Sequence, residues 1–262
     1  MQTNLLKAKL GRGEACRGIW LGLPSMYSAR LLARLPLDWM CIDAEHAPVG
    51  VETMAQMVAA IAEARGPAPL VRIAQSTVEN VKFALDSGAY GVIAPMMNTR
   101  EEVEHFIACA KYPPAGQRSH GSPFARLAFD VEDMTGYLHL ANEQTLAMIQ
   151  VESQAALNNL DAMFSVPGVD LAFVGPVDLS ISLGLEPLAE NTHPKFIEAI
   201  AQIQHAAAAH QLPLGIYCSD GKAAAERIRQ GFLLVNVAGD VNLLKNGLKA
   251  ELEASECPSP RS

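Results

Sequence analysis

The sequence predicts a single-domain α/β protein, a TIM (β/α)8 barrel, on three observations. Eight short, β-rich apolar runs recur along the chain. Longer helical patterns separate them, which is the signature of βα units around a parallel sheet. No GxGxxG or phosphate-loop pattern follows any run, so an open nucleotide-binding sheet has little support. With 262 residues, half of them apolar, the chain is long enough for one large core.

The runs are, in order, GIWLGL (18–23), WMCID (39–43), LVRI (70–73), GVIAP (91–95), LAMIQVE (146–152), DLAFVG (170–175), PLGIYC (213–218) and LLVNVA (233–238). Each is too short and too rich in branched and aromatic residues for a helix. Between them, Ser76 with Glu79 and Thr99 with Glu102 match the capping box at helix starts, and Gly88 and Gly231 sit where helices stop. Residues 111–142 exceed a normal connection and hold YPPAGQRSHGSPFARLAF, the kind of excursion that covers an active site or forms an interface. Residues 1–254 form the predicted barrel. The tail SECPSPRS (255–262) is predicted to be flexible.

Charge and cysteine usage narrow the function classes. Twenty Lys and Arg against 28 Asp and Glu give a net charge of −8, the wrong sign for a phosphate-binding face, so no nucleic-acid partner is expected. The five cysteines lack paired or zinc-like spacing and read as thiols of a reducing compartment. The start MQTNLLKAKLGRG has no apolar signal core, and no apolar run approaches the ~18 residues of a membrane span. A cytoplasmic protein acting on small molecules is expected, with no membrane partner.

In a barrel of this kind chemistry lies at the C-terminal ends of the strands. There the second run ends in Asp43, Glu45 and His46, the third carries Arg72, the fifth ends with Gln150 and Glu152, and the sixth leads into GPVDLS with Asp178. Strand alternation puts Met148, Gln150 and Glu152 on one face and Ile149 and Val151 on the other, and it separates Arg72 from Val71 and Ile73. Glu152 and Asp178 suit a hard divalent cation, Mg2+ or Mn2+, with Co2+ and Zn2+ as further candidates. An equally available reading pairs Glu152 with Arg72 as a buried ion pair and lets Asp178 cap the helical turn near Leu179. His46, three residues after Asp43, is a candidate general base, and His120 in the long insertion is the other histidine of interest. No lysine falls on a strand end, which argues against a Schiff base and for metal-assisted enolisation.

In order along the chain, DWMCIDAEHAP, VRI, ALDSGAYGVIAPM, KYPPAGQRSHGSPFAR, IQVES and GVDLAFVGPVDLS make the sequence resemble the metal-dependent HpcH/HpaI aldolases, the 4-hydroxy-2-oxoheptanedioate aldolase family of pyruvate-binding barrels. The resemblance implies reversible cleavage of a 4-hydroxy-2-oxo acid to pyruvate and an aldehyde. It implies Glu152 and Asp178 as metal ligands, and Arg72 as the group facing the enolate oxygen. Gln150 and the backbone N–H groups of Val177 and Asp178 would hold substrate, with His46 as base. It points to Asp86 as the carboxylate that raises the basicity of His46, although a carboxylate in the last turn of a helix opposes the dipole. Asp43, or an Asp86 brought by a second subunit, are the two ways to meet that need. Family members form homo-oligomers, commonly hexamers built as trimers of dimers. Ala44 replaces a usual Gly, and the RSHGSPF loop with Ser119 and His120 is similar to fungal-type relatives, among them macrophomate synthase. An enolate-forming oxaloacetate decarboxylase is therefore the alternative activity, and a non-catalytic metabolite-binding barrel the third.

Overall fold

Eight parallel strands close on themselves in sequence order: β1 (Cys16–Leu21), β2 (Trp39–Asp43), β3 (Ala68–Arg72), β4 (Gly91–Ala94), β5 (Leu146–Val151), β6 (Leu171–Val174), β7 (Leu214–Ile216) and β8 (Leu234–Gly239). The ring is completed by pairing of Cys16 with Leu234. All eight predicted runs are strands of this barrel, seen in a computed structural model that describes residues 4–256. The last helix, Asp240–Ser255, passes the predicted boundary at 254 by one residue. The rest of the predicted flexible tail, from Cys257 on, lies outside the described residues.

Strand alternation sorts the core into two layers. Met40, Ile42, Val71, Ile73, Ile149 and Val151 face outward into one apolar cluster with the helices. Trp39, Cys41, Leu70, Ile93, Met148 and Phe173 face inward into another. The inward layer tolerates Trp39 only because residue 18 is glycine: a Cβ there would stand 2.1 Å from the Trp39 ring. The barrel interior is thus packed solid below its mouth, and Asp43, Arg72 and Gln150 stand above that packing at the C-terminal rim.

The insertion at 111–142 is not a cover for that rim. It follows the Arg100–Ala110 helix, so the chain has already returned to the N-terminal ends of the strands. There Phe129 stacks on Tyr90 at 4.4 Å, the Tyr90 hydroxyl donates to the Ala128 carbonyl at 2.7 Å, and Tyr137 is buried beside Tyr112. Together with Leu6 and Leu10 of the Leu5–Gly11 helix these side chains close the bottom of the barrel. His120 is exposed at this end, its ring 6.5 Å from that of Tyr112.

The cap predicted at Ser76 and Glu79 is displaced by one residue. Thr77 is the N-cap of the Val78–Asp86 helix and accepts from the Asn80 N–H at 3.3 Å, which leaves Glu79 one position too early to reach back. Thr99 and Glu102 do form the reciprocal capping box, and Gly88 and Gly231 follow helix ends with φ of 99° and 94°.

Candidate active site

Arg72 ends β3 directly opposite Asp43 at the end of β2, and the register brings the two together. The guanidinium grips the carboxylate twice, Nε to Oδ1 at 3.0 Å and NH2 to Oδ2 at 2.6 Å. It also lies 3.1 Å from Glu45 Oε2 and over the Trp20 ring at 4.9 Å. The Trp20 indole N–H donates to Asp43 Oδ2 at 3.2 Å. Burial alone would raise the Asp43 pKa, but the hydrogen bonds and charge of Arg72 outweigh it and hold the carboxyl below its ordinary value. Such an arginine is fixed in plane and direction before any ligand arrives.

Asp43 also shapes the loop that follows it. Its Oδ1 accepts from the backbone N–H groups of Glu45 and His46 at 3.1 and 3.2 Å. Asp43 therefore meets the backbone of His46 and not its ring, whose Nε2 is 3.7 Å from Glu45 Oε2 with the side chain 63% exposed. Asp86 stands at the opposite end of the barrel, where its carboxylate receives Arg118 NH2 at 2.8 Å and its carbonyl receives the Ser122 hydroxyl. Within one chain neither aspartate partners the His46 ring.

Glu152 lies one residue beyond β5 and is 3% exposed. It does not pair with Arg72, which is committed to Asp43 and Glu45. Its Oε1 accepts the Met96 N–H at 2.7 Å, and its Oε2 accepts the Gln150 amide. Burial, with the charges of Asp178 and Glu45 added, pushes its carboxyl up to about 7. Gly175 makes this placement possible, since a Cβ there would stand 2.1 Å from Glu152 Oε2.

Asp178 does not cap the turn near Leu179. The Pro176–Ser182 helix starts earlier, Gly175 occupies the cap position, and Asp178 falls in the first turn, exposed, where a negative charge complements the helix dipole. Proline at the first helical position has no N–H, so Val177 and Asp178 carry the leading amides.

These groups converge. Trp20, Asp43, His46, Arg72, Gln150 and Asp178 line one cavity of ≈ 280 Å3 at the C-terminal end of the strands. Glu152 stands behind Gly175 and Gln150 at its edge. The residues passed over in the sequence are the aromatic wall: Trp20 lies 5.5 Å from Phe173 and 5.9 Å from Tyr217, and all three line the cavity. Their signal was available, because Trp20 and Phe173 fall at inward positions of predicted strands.

The donor chemistry fits a divalent cation. Glu152 and Asp178 have no ion-pair partner among the described residues, whereas Asp43 and Glu45 share Arg72. The buried Gln150 Oε1 accepts no hydrogen bond from the described residues. Among the described residues no three His, Cys, Asp or Glu side chains form a metal cage. Two carboxylates completed by substrate and water oxygens is the habit of Mg2+ or Mn2+ more than of structural zinc.

Residues 17–247 match the family model described as HpcH/HpaI aldolase/citrate lyase. A hydroxypyruvate/pyruvate aldolase of Rhizorhabdus wittichii is 35% identical over 241 residues, 92% of this chain and 94% of that protein. A 4-hydroxy-2-oxo-heptane-1,7-dioate aldolase of Salmonella typhimurium is 37% identical over 249 residues, 94% of this chain and 92% of that one. Among solved structures, an HpcH/HpaI aldolase/citrate lyase family protein from Burkholderia cenocepacia superposes with a TM-score of 0.87 at 33% identity, covering 96% of this chain and 99% of its own.

Proposed function

Because the chain belongs to the HpcH/HpaI aldolase/citrate lyase family, whose aldolases are carbon–carbon lyases, we propose that it reversibly cleaves a 4-hydroxy-2-oxo acid to pyruvate and an aldehyde. One observation carries this reading above the others: Arg72, locked by Asp43 and Glu45, faces the same small cavity as Gln150, His46 and Asp178. In the cleavage direction the C3–C4 bond breaks as the 4-hydroxyl proton passes to Nε2 of His46. The aldehyde leaves, and the electron pair becomes the pyruvate enolate. Arg72 stabilises the enolate oxygen from a position that needs no reorganisation. Return of the proton to C3 gives pyruvate.

Gln150 and the N–H groups of Val177 and Asp178 orient the substrate carboxylate and carbonyl, and the wall of Trp20, Phe173 and Tyr217 excludes water. Glu152 and Asp178 would hold a divalent cation, Mg2+ or Mn2+, which when bound polarises the 2-oxo oxygen as a Lewis acid. Asp86 enters this scheme only if a second copy of the chain presents it to His46. The last helix favours self-association, because Val241, Leu244, Leu248 and Leu252 are exposed at helical spacing along one stripe. No described helix is long and apolar enough to cross a membrane. The four described cysteines are free thiols, which suits the reducing cytosol.

The test is deuterium exchange into the pyruvate methyl group in D2O, with and without a chelator, in the native protein and in Glu152→Ala. Exchange that needs added Mg2+ or Mn2+ and disappears in the variant is expected. Exchange indifferent to chelator removes the cation from the scheme. Pyruvate release from oxaloacetate without turnover of any hydroxy-oxo acid would replace aldol cleavage by decarboxylation.

A further inference from the structure

We propose that Asn98 is a positioning residue for Glu152, acting through a left-handed turn at Met96; the inference rests on the reading of Glu152 as a cation ligand. Met96 has φ of 53°. That conformation costs a non-glycine residue about 1–2 kcal/mol, and its side chain, 49% exposed, recovers little of the cost by packing. What the turn does achieve is to aim the Met96 N–H at Glu152 Oε1, 2.7 Å away. A strained residue beside a reacting group is a reason to ask what holds it there.

Asn98 supplies the answer from both ends of its amide. Its Nδ2 donates to the Met96 carbonyl at 2.7 Å, closing the turn. Its Oδ1 accepts the hydroxyl of Ser153, the residue that follows Glu152. The Ser153 hydroxyl also accepts the Ala156 N–H at 2.9 Å and so caps the next helix, which fixes the direction of its own proton toward Asn98. The backbone of Asn98 is held in turn: its N–H donates to Glu102 Oε2 at 2.7 Å and its carbonyl accepts Asn159 Nδ2 at 2.8 Å. One side chain therefore couples the segment after β4, which carries the donor, to the segment after β5, which carries the acceptor. Asn98 itself does not line the cavity. Loss of an outer partner of a ligating carboxylate weakens metal binding by roughly ten- to a hundred-fold.

The experiment uses the full chain labelled with 15N-methionine, which gives nine amide signals, one for each of the ten methionines except Met1, with that of Met96 identified by its loss in Met96→Leu. Mn2+ affinity is measured on the same samples by electron paramagnetic resonance. In the native protein the Met96 amide proton is expected far downfield, as a donor to a carboxylate, and Glu152→Gln should move it back. Asn98→Ala should do the same and should weaken Mn2+ binding at least about ten-fold. Asn98→Asp keeps the acceptor for Ser153 but has no donor for the Met96 carbonyl, so it should follow Asn98→Ala; it also replaces that variant if Asn98→Ala fails to fold. Met96→Gly keeps the N–H and accepts the same φ, so its affinity should match the native protein. An unmoved Met96 amide in Asn98→Ala overturns the proposal, as does a moved amide with unchanged Mn2+ affinity. Native protein that binds no Mn2+ refutes the cation reading instead, and the amide shift alone then decides whether Asn98 places the carboxylate.

Discussion

Gly175→Ala tests the placement of Glu152 with a single methyl group. The new Cβ would lie 2.1 Å from Glu152 Oε2, 2.8 Å from Gln150 Nε2 and 3.0 Å from Glu152 Cβ. Ordinary contact begins at 3.4 Å, so the carboxylate oxygen must retreat by 3.4 − 2.1, about 1.3 Å. It cannot do so freely, because Oε1 is tied to the Met96 N–H and residue 175 to the Val151 carbonyl. Overpacking of this kind costs roughly 1–3 kcal/mol of stability. A displacement of about 1 Å at a reacting group costs on the order of 100-fold in rate. Pyruvate methyl exchange, followed by loss of the proton signal in D2O with saturating Mn2+, should therefore fall about 100-fold, while thermal unfolding moves down by only several degrees at roughly 2–4 °C per kcal/mol. Exchange near the native rate in a folded Gly175→Ala protein would show that the reaction does not depend on where this carboxylate sits.

Arg72→Lys keeps the charge but loses the two-point grip on Asp43, so kcat for cleavage should drop by about 100-fold or more with a smaller change in KM; loss confined to KM would make Arg72 a simple binding group. Asp43→Asn leaves the buried guanidinium with half a partner and should cost about 3 kcal/mol in urea unfolding at neutral pH. The folded Asp43 carboxyl lies below its ordinary value, so the stability it contributes is complete above the ordinary aspartate value of about 4 and is lost as the pH falls through the lower folded value. The native and Asp43→Asn proteins should accordingly converge in stability on the acid side, and a gap that persists there would rule out the ion pair as its source. Leu248→Glu, in the middle of the exposed stripe of the last helix, should reduce the mass measured by light scattering without lowering the helix content; an unchanged mass would mean that this face is not where copies of the chain meet.

What could be read from the sequence was what the backbone period determines. β5 alternates so regularly that Gln150 could be assigned to the interior before any fold was known, and Ile149 and Val151 to the helices. The same rule placed Arg72 inward, but it could not choose the partner of Arg72. That choice depends on the register of β2 against β3, which sets Asp43 across from it, while Glu152, two strands along and just past β5, takes its hydrogen bonds from Met96 and Gln150. The cap at Thr77 was missed because Ser76 and Thr77 are adjacent and both able to cap; Asn80 decides, by using its Nδ2 on the Gln75 carbonyl and its N–H on Thr77. For the insertion, of the two readings cover and interface, only the cover fails, and for a different reason. Its length was legible, and its position after a helix already fixed it at the bottom of the barrel.

The division of charge at the mouth leads to one more prediction. Among the described residues four carboxylates surround the site, and the guanidinium of Arg72 is spent on the two from β2 and the loop after it, Asp43 and Glu45. Glu152 is left buried with hydrogen bonds but, among the described residues, no counter-charge, an arrangement that destabilises the fold and that a bound cation would relieve. Glu152→Gln removes the charge and keeps the shape. Its Oε1 can still accept the Met96 N–H, and its new amide faces Gln150, whose buried Oε1 has no partner among the described residues of the native protein and can turn to receive it. In the presence of chelator the variant should therefore be more stable to urea than the native protein, by about 1–3 kcal/mol, and it should lose the stabilisation that Mn2+ gives the native chain. A Glu152→Gln protein that is weaker than the native one in chelator would mean that this carboxylate is already neutralised within its own chain and has no need of an ion.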